Sequence, residues 1–298
     1  MLNVLTLIAG PAASILDPQT LAAVNAGLLE AGANVGPVDW LAPDRACDLP
    51  FEGIDAVAVQ RIVRDRLAAR PIDLGAQSAS GRRKKLLVAD MESTIITREL
   101  LDELATLLGI SAQIAPITAR SMRGEIDFAQ SLRERVALLA GQPESLLGRV
   151  AERIELLPGA RRLVRTMRAA GARTVLVSGG FDCFAAVAAE ACGFDEFRAN
   201  RLVIANGQIT GRVVEPILDR NGKRAILEQL AAAGGIPRQA TAAVGDGAND
   251  IAMLQAAGLG VAFHGKPAVA AAARFRLDHS DLTGLLYLQG YRSHEFKE

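Results

Sequence analysis

The chain contains two recurrent patterns of apolar and polar positions, and each predicts a different kind of element. Short runs of leucine and β-branched residues, as in "NVLTLIA" at 3–9 and "TVLVS" at 174–178, indicate strands. Apolar residues spaced three or four positions apart, as in "LAAVNAGLLE" at 21–30, indicate helices with one buried face. The sequence therefore predicts a protein built from both helices and strands.

The N-terminal part predicts a small α+β unit. In order, the pattern gives a strand at 3–9, a helix at 18–32, strands at 34–42 and 45–53, a helix at 55–70 and a strand at 71–77. This is the order of the ferredoxin-like arrangement. Pro, Gly, Ser and charged residues gather at 71–85, as in a linker. We therefore expect one domain at 1–78 and a second at 79–298.

The second part predicts an α/β fold. Strands at 86–89, 172–178, 241–246 and 259–263 alternate with helices at 159–171, 181–193, 222–235 and 249–258. Such alternation indicates a Rossmann-like parallel sheet with right-handed crossovers. A mostly helical stretch at 97–157 interrupts it after the first strand, and Asn206-Gly207 predicts a hairpin within 200–215.

Composition removes several function classes. Lys plus Arg balance Asp plus Glu at 33 each, which does not favour nucleic acid or a membrane surface as partner. No apolar run is long enough to cross a bilayer, and the first residues lack the pattern of a secretion signal. A cytoplasmic protein is expected, with Cys47, Cys183 and Cys192 as small apolar residues. The basic "GRRKK" at 81–85 is interpreted as a solvated linker end rather than a binding patch.

Polar residues follow three of the predicted strands at their carboxyl ends. They are Asp90 after the first, Ser178, Gly179 and Gly180 after the second, and Asp246, Asn249 and Asp250 after the third. Neighbouring strands would gather them at the edge where α/β sheets bind ligands. Clustered carboxylates repel one another, and Mg²⁺ prefers a few carboxylates with waters and phosphate oxygens. With the possible anion nest of the two glycines and the charge of Lys223, the pattern predicts a phosphate site with a metal.

Two carboxylates in "DMEST" at 90–94 have separable roles in such a site. Asp90 can attack phosphorus, because aspartates form aspartyl-phosphates. Glu92 lies two residues further on the same side of the chain, and it could protonate the leaving oxygen and then activate water. Taken singly, these residues have simpler interpretations: turn or cap residues for Asp90, Asp246, Asn249 and Asp250, and a solvated lysine for Lys223.

Several spaced motifs resemble one known family. "DMEST", "VSGG" at 177–180, Lys223 and "GDGANDIAM" at 245–253 resemble the four motifs of the haloacid-dehalogenase-like (HAD) phosphatases. Among the families of these phosphatases, the phosphoserine phosphatases are the ones resembled by three further segments: "MRGEIDFAQSLRERV" at 122–136, "LLPGA" at 156–160 and "ANRL" at 199–202. The likeness runs from about residue 84 to 285. It implies a HAD-like core at 79–96 and 158–298, a helical cap at about 97–157, Mg²⁺ as cofactor and hydrolysis of O-phospho-L-serine through an aspartyl-phosphate.

The resemblance also assigns individual residues. Asp90, Asp246 and the backbone carbonyl of Glu92 would bind the metal, with Asp250 as a further candidate. Glu99 would hold the substrate ammonium and Arg135 its carboxylate, although an acid at a helix start and a surface arginine are the simpler interpretations. Met122 and Phe128 match apolar cap residues that exclude water, and core packing is their alternative.

One catalytic position departs from the family, which carries Asp where this chain has Glu92. The two acids have similar reference pKa values, but the extra methylene moves the carboxylate, and a misplacement of about 1 Å can cost roughly 10²-fold. We interpret Glu92 as a working substitute. Two rival functions stay open: the same chemistry on another small phosphate or by transfer to an alcohol, and a binding protein disabled by Glu92. The N-terminal unit resembles ACT modules, for which ligand binding, homodimer formation and a structural role are all open.

Overall fold

Both predicted halves of the chain appear in a computed structural model that describes residues 2–11, 15–67 and 70–298. The strands are β1 (Asn3–Ala9), β2 (Asn34–Val35), β3 (Asp39–Ala42), β4 (Ala46–Glu52), β5 (Ile72–Ser78), β6 (Leu86–Ala89), β7 (Arg173–Phe181), β8 (Glu196–Asn200), β9 (Leu202–Ala205), β10 (Gln208–Val213), β11 (Thr241–Gly245), β12 (Leu259–Phe263) and β13 (Phe275–Leu277). The helices are α1 (Pro18–Glu30), α2 (Ala56–Leu67), α3 (Leu100–Leu108), α4 (Ser111–Met122), α5 (Phe128–Ala137), α6 (Ser145–Ala151), α7 (Ala160–Ala169), α8 (Asp182–Cys192), α9 (Arg220–Ala233), α10 (Ile251–Ala256), α11 (Pro267–Ala272) and α12 (Gly284–Leu288).

The first sheet has the predicted ferredoxin-like arrangement. Its strand order is β2-β4-β1-β5, β3 also pairs with β4, and the pairs are antiparallel. The predicted strand at 34–42 is two strands separated by a short gap, and the last residues of the predicted helix 55–70 fall partly at 68–69, outside the described residues. Alternate residues of β1, β4 and β5 pack with α1 and α2 in one apolar cluster, which includes Leu5, Leu7, Cys47, Leu49, Phe51 and Leu74.

The other face of this sheet packs against the rest of the chain, so the linker interpretation of 71–85 is wrong over much of its length. Residues 72–78 form β5, and a Cβ on Gly75 would come within 2.6 Å of Leu288 Cδ2. Side chains of a strand alternate between its two faces. In β1, β4 and β5, the polar side chains that alternate with the apolar cluster therefore point toward the second sheet. We call Thr6, Asp48, Asp73, Gln77 and Arg82 the inter-unit contact.

The inter-unit contact is densely hydrogen-bonded. Arg82 reaches both Asp48 carboxylate oxygens, at 2.5 and 3.1 Å, and also donates to Thr6. Asp73 accepts backbone N–H bonds from residues 278–280, and the Gln77 amide donates to the Leu288 carbonyl at 2.7 Å. Within "GRRKK", Arg82 and the buried Lys84 therefore contact the rest of the protein, and they are not the solvated linker end that the sequence suggested.

The second sheet is parallel throughout, as predicted, with strand order β13-β12-β11-β6-β7-β8. Helices α3 to α6 lie between β6 and α7 along the chain and form the cap, and β9 and β10 form the predicted hairpin. Because β6 lies between β11 and β7, the segments that follow these three strands meet at one edge. Within the described residues, no helix is both long and apolar enough to span a membrane.

Candidate active site

The ends of β6 and β11 and the first turn of α9 bring Asp90, Asp250 and Lys223 into direct contact. The Lys223 ammonium, at the first turns of α9, lies 2.5 Å from Asp90 Oδ1 and 2.7 Å from Asp250 Oδ1. All three side chains are buried. Burial opposes the charge of the lysine, but Asp250 and Asp90 outweigh it and raise the lysine pKa. Lys223 is thus a fixed cation, and the solvated interpretation is wrong.

Asp246 adds a third carboxylate to the cluster. One oxygen each of Asp90, Asp246 and Asp250 lie within 4.8 Å of one another. Burial, and then the charge of Asp250, raise the pKa of Asp90 well above its usual range, while Lys223 opposes them. Asp246 also pairs with Lys266, whose ammonium lies 3.1 Å away and whose side chain is largely exposed. Three clustered, buried oxygen donors with a surplus of negative charge fit a hard cation such as Mg²⁺.

Asp250 does not have the capping role considered for it, and Asn249 lies one residue before the N-cap position of helix α10. Helix α10 begins at Ile251, with Asp250 at the N-cap position, but the Asp250 carboxylate makes no cap bond. It accepts from Lys223 and from Gly247 N at 3.0 Å instead. Asn249 is half-buried, and a Cβ on Gly247 would collide with its side chain. A purely capping role is therefore wrong for Asp250, whereas the role of Asn249 stays a prediction.

The end of β7 forms a tight loop beside this cluster. The hydroxyl of the buried Ser178 accepts from Gly180 N at 2.9 Å. A Cβ on Gly180 would lie 3.0 Å from Glu92 Oε2 and 3.1 Å from Ser178 Oγ, so this position leaves little room for a side chain. The loop therefore lies next to the proposed acid, as a phosphate-binding loop must.

Glu92 faces this loop and is held by the first turn of the cap. Its Oε1 accepts from Leu100 N at 2.8 Å. Burial, and then the charge of Glu99, raise the pKa of Glu92 to about 7, and the Leu100 bond partly opposes them. A carboxylic acid with a pKa near neutrality can both donate and accept a proton at physiological pH.

The two polar cap residues lie close to Glu92 but have different surroundings. Glu99 is exposed, makes no helix-cap bond, and accepts from the Ser93 hydroxyl at 3.0 Å. Burial lowers the pKa of Arg135, against the opposing charges of Asp102, Glu92 and Glu99. Among the described residues, Arg135 has no ion pair within 4.0 Å, and its Nε donates to the Ser131 carbonyl at 3.3 Å. Its guanidinium therefore keeps donors for a ligand.

The two apolar cap residues have different positions. A Cβ on Gly179 would lie 2.9 Å from the Phe128 ring, so Phe128 packs over the end of β7. Met122 is 83% exposed at the end of α4, so its core-packing alternative is wrong. Phe128 therefore lies at the site, and the water-excluding role expected for Met122 stays a prediction.

The comparison with known proteins decides the family. Residues 87–255 match the family model described as haloacid dehalogenase-like hydrolase. This chain belongs to the haloacid dehalogenase-like hydrolase family. It is 40% identical over 284 residues to the phosphoserine phosphatase of Streptomyces coelicolor. This alignment covers 94% of this chain and 69% of that protein. The resemblance predicted from the sequence motifs is thus confirmed.

Solved structures in this hydrolase family agree. The probable phosphoserine phosphatase of Vibrio cholerae in its unliganded form has a TM-score of 0.79 at 30% identity, over 98% of this chain and 88% of that one. A phospho-aspartyl intermediate analogue of phosphoserine phosphatase has a TM-score of 0.64 at 38% identity, over 68% of this chain and 98% of that one. The predicted HAD-like core, the helical cap and the N-terminal α+β unit are confirmed.

Two residues of this hydrolase site were missed by sequence reasoning. The buried Asn200 donates to the carbonyls of Gly179 and Leu218 and accepts from Leu218 N, so it connects the end of β7 to the segment before α9. Lys266 pairs with Asp246. The "ANRL" likeness had included Asn200 without a role, whereas Lys266 follows β12, and no motif in the sequence marked it as part of the site.

Proposed function

We propose that this hydrolase removes the phosphate of O-phospho-L-serine in a Mg²⁺-dependent reaction, as the last step of serine synthesis from a phosphorylated precursor. The main support is the contact of Asp90 with Lys223 and Asp250 next to the Ser178 loop, combined with relatives that are phosphoserine phosphatases. Asp90, Asp246 and the Glu92 carbonyl would hold the metal, with Asp250 beside them. When bound, Mg²⁺ would supply positive charge against the repulsion between the phosphate and these carboxylates.

Asp90 is the nucleophile in this proposal. Lys223 holds Oδ1, and no hydrogen bond to Oδ2 is seen within the described ranges, so Oδ2 can form the new bond to phosphorus. Ser178, the N–H groups of the following glycines, Lys223 and Asn249 would bind the phosphate oxygens. The bond from phosphorus to the seryl oxygen breaks, and the phosphate is carried on Asp90.

Glu92 moves the protons in both halves of the reaction. It donates a proton to the leaving seryl oxygen and becomes a carboxylate. It then takes a proton from the water that attacks the aspartyl-phosphate, so that phosphate leaves and Glu92 regains its proton. The pKa of about 7 suits both steps.

The cap would select the substrate. Arg135 would bind the serine carboxylate through its planar fork, and Glu99 the ammonium, while Phe128 limits access of water. These assignments are tested by Arg135→Ala, with Arg133→Ala as the matched control on the same helix, where Arg133 is exposed and pairs with Glu215. We expect Arg135→Ala to cost about 2–5 kcal/mol in kcat/KM for phosphoserine, and much less for p-nitrophenyl phosphate, which has no carboxylate. Equal losses on both substrates would contradict the carboxylate role.

The activity itself is tested by phosphate release from L-phosphoserine in Mg²⁺ and in EDTA, with and without an acceptor alcohol such as homoserine. The proposal requires release in Mg²⁺, almost none in EDTA, and no dependence on the acceptor. Transfer to homoserine at the expense of phosphate would favour the phosphotransferase alternative, and full activity in chelator would contradict the metal site.

The division at residue 78 and the role of the N-terminal unit are proposals too. We propose that residues 1–78 form an ACT-like domain able to mediate a homodimer. Light scattering on the full chain, with a measured mass of one or two chains, tests the dimer.

A further inference from the structure

A cavity of about 1060 Å³ lies between the two units, away from the acidic cluster. It is lined by the end of β5, the turn after it, and the residues just before β6, β11 and β12. Asp90 and Asp246 follow the opposite ends of β6 and β11, about 13 Å along these strands. The cavity is therefore separate from the hydrolase site.

The charge of this cavity is one-sided although the chain as a whole is neutral. Five of its lining residues are cationic and none is acidic within the described part of the chain: Arg83, Lys84, Lys85, Arg238 and Arg274. Arg83 pairs with Glu295, and Arg238 donates to the carbonyls of residues 255 and 256. For the other three, no carboxylate lies within 4.0 Å in the ranges that the structure covers.

Lys84 is the most informative of these cations. It is 8% exposed, and its ammonium donates to the carbonyls of Gly81 and Gln239, each at 2.8 Å. An ammonium has three N–H donors, so one is left for a ligand. Burial, and then Arg82 and Arg274, lower the pKa of Lys84 to about 8. A buried cation with cationic neighbours is costly, and a bound anion would offset that cost.

The rest of the lining is small and apolar. It includes Leu254, Ala257, Gly258, Gly260, Ala272 and Ala273. The volume is that of a site for a whole small molecule, which is roughly 300–1,000 Å³, and inorganic phosphate would fill little of it. Cations beside an apolar floor suit a molecule with anionic groups at one end and a flat apolar body.

We propose that this cavity binds a nucleoside phosphate, with its phosphates on Lys84, Lys85 and Arg274 and its base on the apolar floor. Because Gln77 and Ser78 of the N-terminal unit line the same cavity, the ligand would contact both units and stabilise their association.

Calorimetric titration of the full-length Asp90→Asn chain with ADP tests this, since that variant cannot form the phosphoenzyme. Lys85→Ala with Arg274→Ala should weaken ADP binding about tenfold or more, a loss of about 1.4 kcal/mol. Both side chains lie on exposed residues, so folding should be unaffected, and the melting temperature without ligand checks this. Arg212→Ala, an exposed arginine of β10 outside the cavity, is the matched control and should bind as the parent does.

Four outcomes would overturn the proposal. Absence of ADP binding at millimolar concentration removes the site. An equal loss in Arg212→Ala shows non-specific attraction, and displacement of ADP by L-phosphoserine with Mg²⁺ places the nucleotide at Asp90. Inorganic phosphate that binds as tightly as ADP contradicts the role of the apolar floor. If the double variant melts at a lower temperature, Lys85→Glu alone must still weaken ADP binding.

Discussion

The acidic cluster at Asp90 and the inter-unit contact both bury charge, but they balance it differently. In the cluster, three carboxylates share one buried cation, Lys223, and the partly exposed Lys266. In the inter-unit contact, Asp48 is matched by Arg82 and Thr6, and Asp73 by three successive backbone N–H groups. The first region has fewer positive charges than carboxylates. In the second region, each buried carboxylate has a full set of hydrogen-bond or ion-pair partners.

This difference distinguishes a ligand-binding site from a contact that only stabilises the fold. Buried carboxylates without enough partners are destabilising, so the deficit at Asp90 is accounted for by what the site is proposed to bind, a metal and a phosphate. A saturated contact has no capacity for a ligand and contributes to stability alone. Substitutions in the first region should therefore change turnover, and substitutions in the second should change the free energy of unfolding.

Glu92→Gln should produce the largest effect, and on turnover. It keeps Asp90 and the shape of the side chain but removes proton transfer, so kcat for phosphoserine should fall about 10²–10⁴-fold. The melting temperature should change little. Steady-state kinetics measure the loss, and Glu92→Asp, which restores the residue usual in the family, should stay active. A Glu92→Gln chain as fast as the parent would show that Glu92 is not the acid.

Asp48→Ala should produce the next largest effect, and on stability. It leaves Arg82 buried without its carboxylate, at a cost of about 3–5 kcal/mol, while kcat should stay close to that of the parent. Asp39→Ala is the matched control on the neighbouring strand, because its pair with Arg292 is exposed and worth about 0–1 kcal/mol. Urea unfolding compares the two. Similar losses of unfolding free energy in both variants would contradict the claim that the buried Asp48 pair stabilises the protein more than an exposed pair does.

The smallest expected effect is the pH dependence contributed by Lys84. Its folded pKa of about 8 lies below the ordinary 10.5, so between these pH values the unfolded chain binds the extra proton. Stability therefore rises with pH across this window, on the order of 1 kcal/mol after solvent screening. The unfolding free energy of the parent should rise from pH 8 to 10.5 relative to Lys84→Met. A flat or falling difference would contradict the lowered pKa.

The site was predictable from the sequence because it follows from strand order and local chemistry. Asp90, Ser178 and Asp246 each follow a strand of clear apolar pattern, and the carboxyl ends of parallel strands meet. Lys266 and Asn200 were not predictable, since Lys266 lies in the segment between β12 and α11, Asn200 is the last residue of a strand with a weak apolar pattern, and only the folded chain brings them to the others. The exposure of Met122 was likewise not predictable, because the spacing of apolar residues in a helix does not show which of them face the solvent.

The inter-unit contact was misread for a related reason. In β5, Asp73, Gly75 and Gln77 alternate with apolar residues, which is the pattern of a strand with one face in water. Here that face meets the second unit, and sequence alone does not distinguish the two. β13 and α12 are too short to show the periodic spacing of apolar residues that predicts a strand or a helix. The polar residues of β8 interrupt the apolar run by which a strand is recognised.

The central claim is that Asp90 carries the phosphate during turnover. The direct measurement is acid quenching of the enzyme with radiolabelled L-phosphoserine and Mg²⁺, followed by mapping of the labelled peptide. The account predicts base-labile label on Asp90 that accumulates in Glu92→Gln, most visibly with an aryl phosphate as donor, and is absent in Asp90→Asn. Label on another residue, or label that persists in Asp90→Asn, would contradict it.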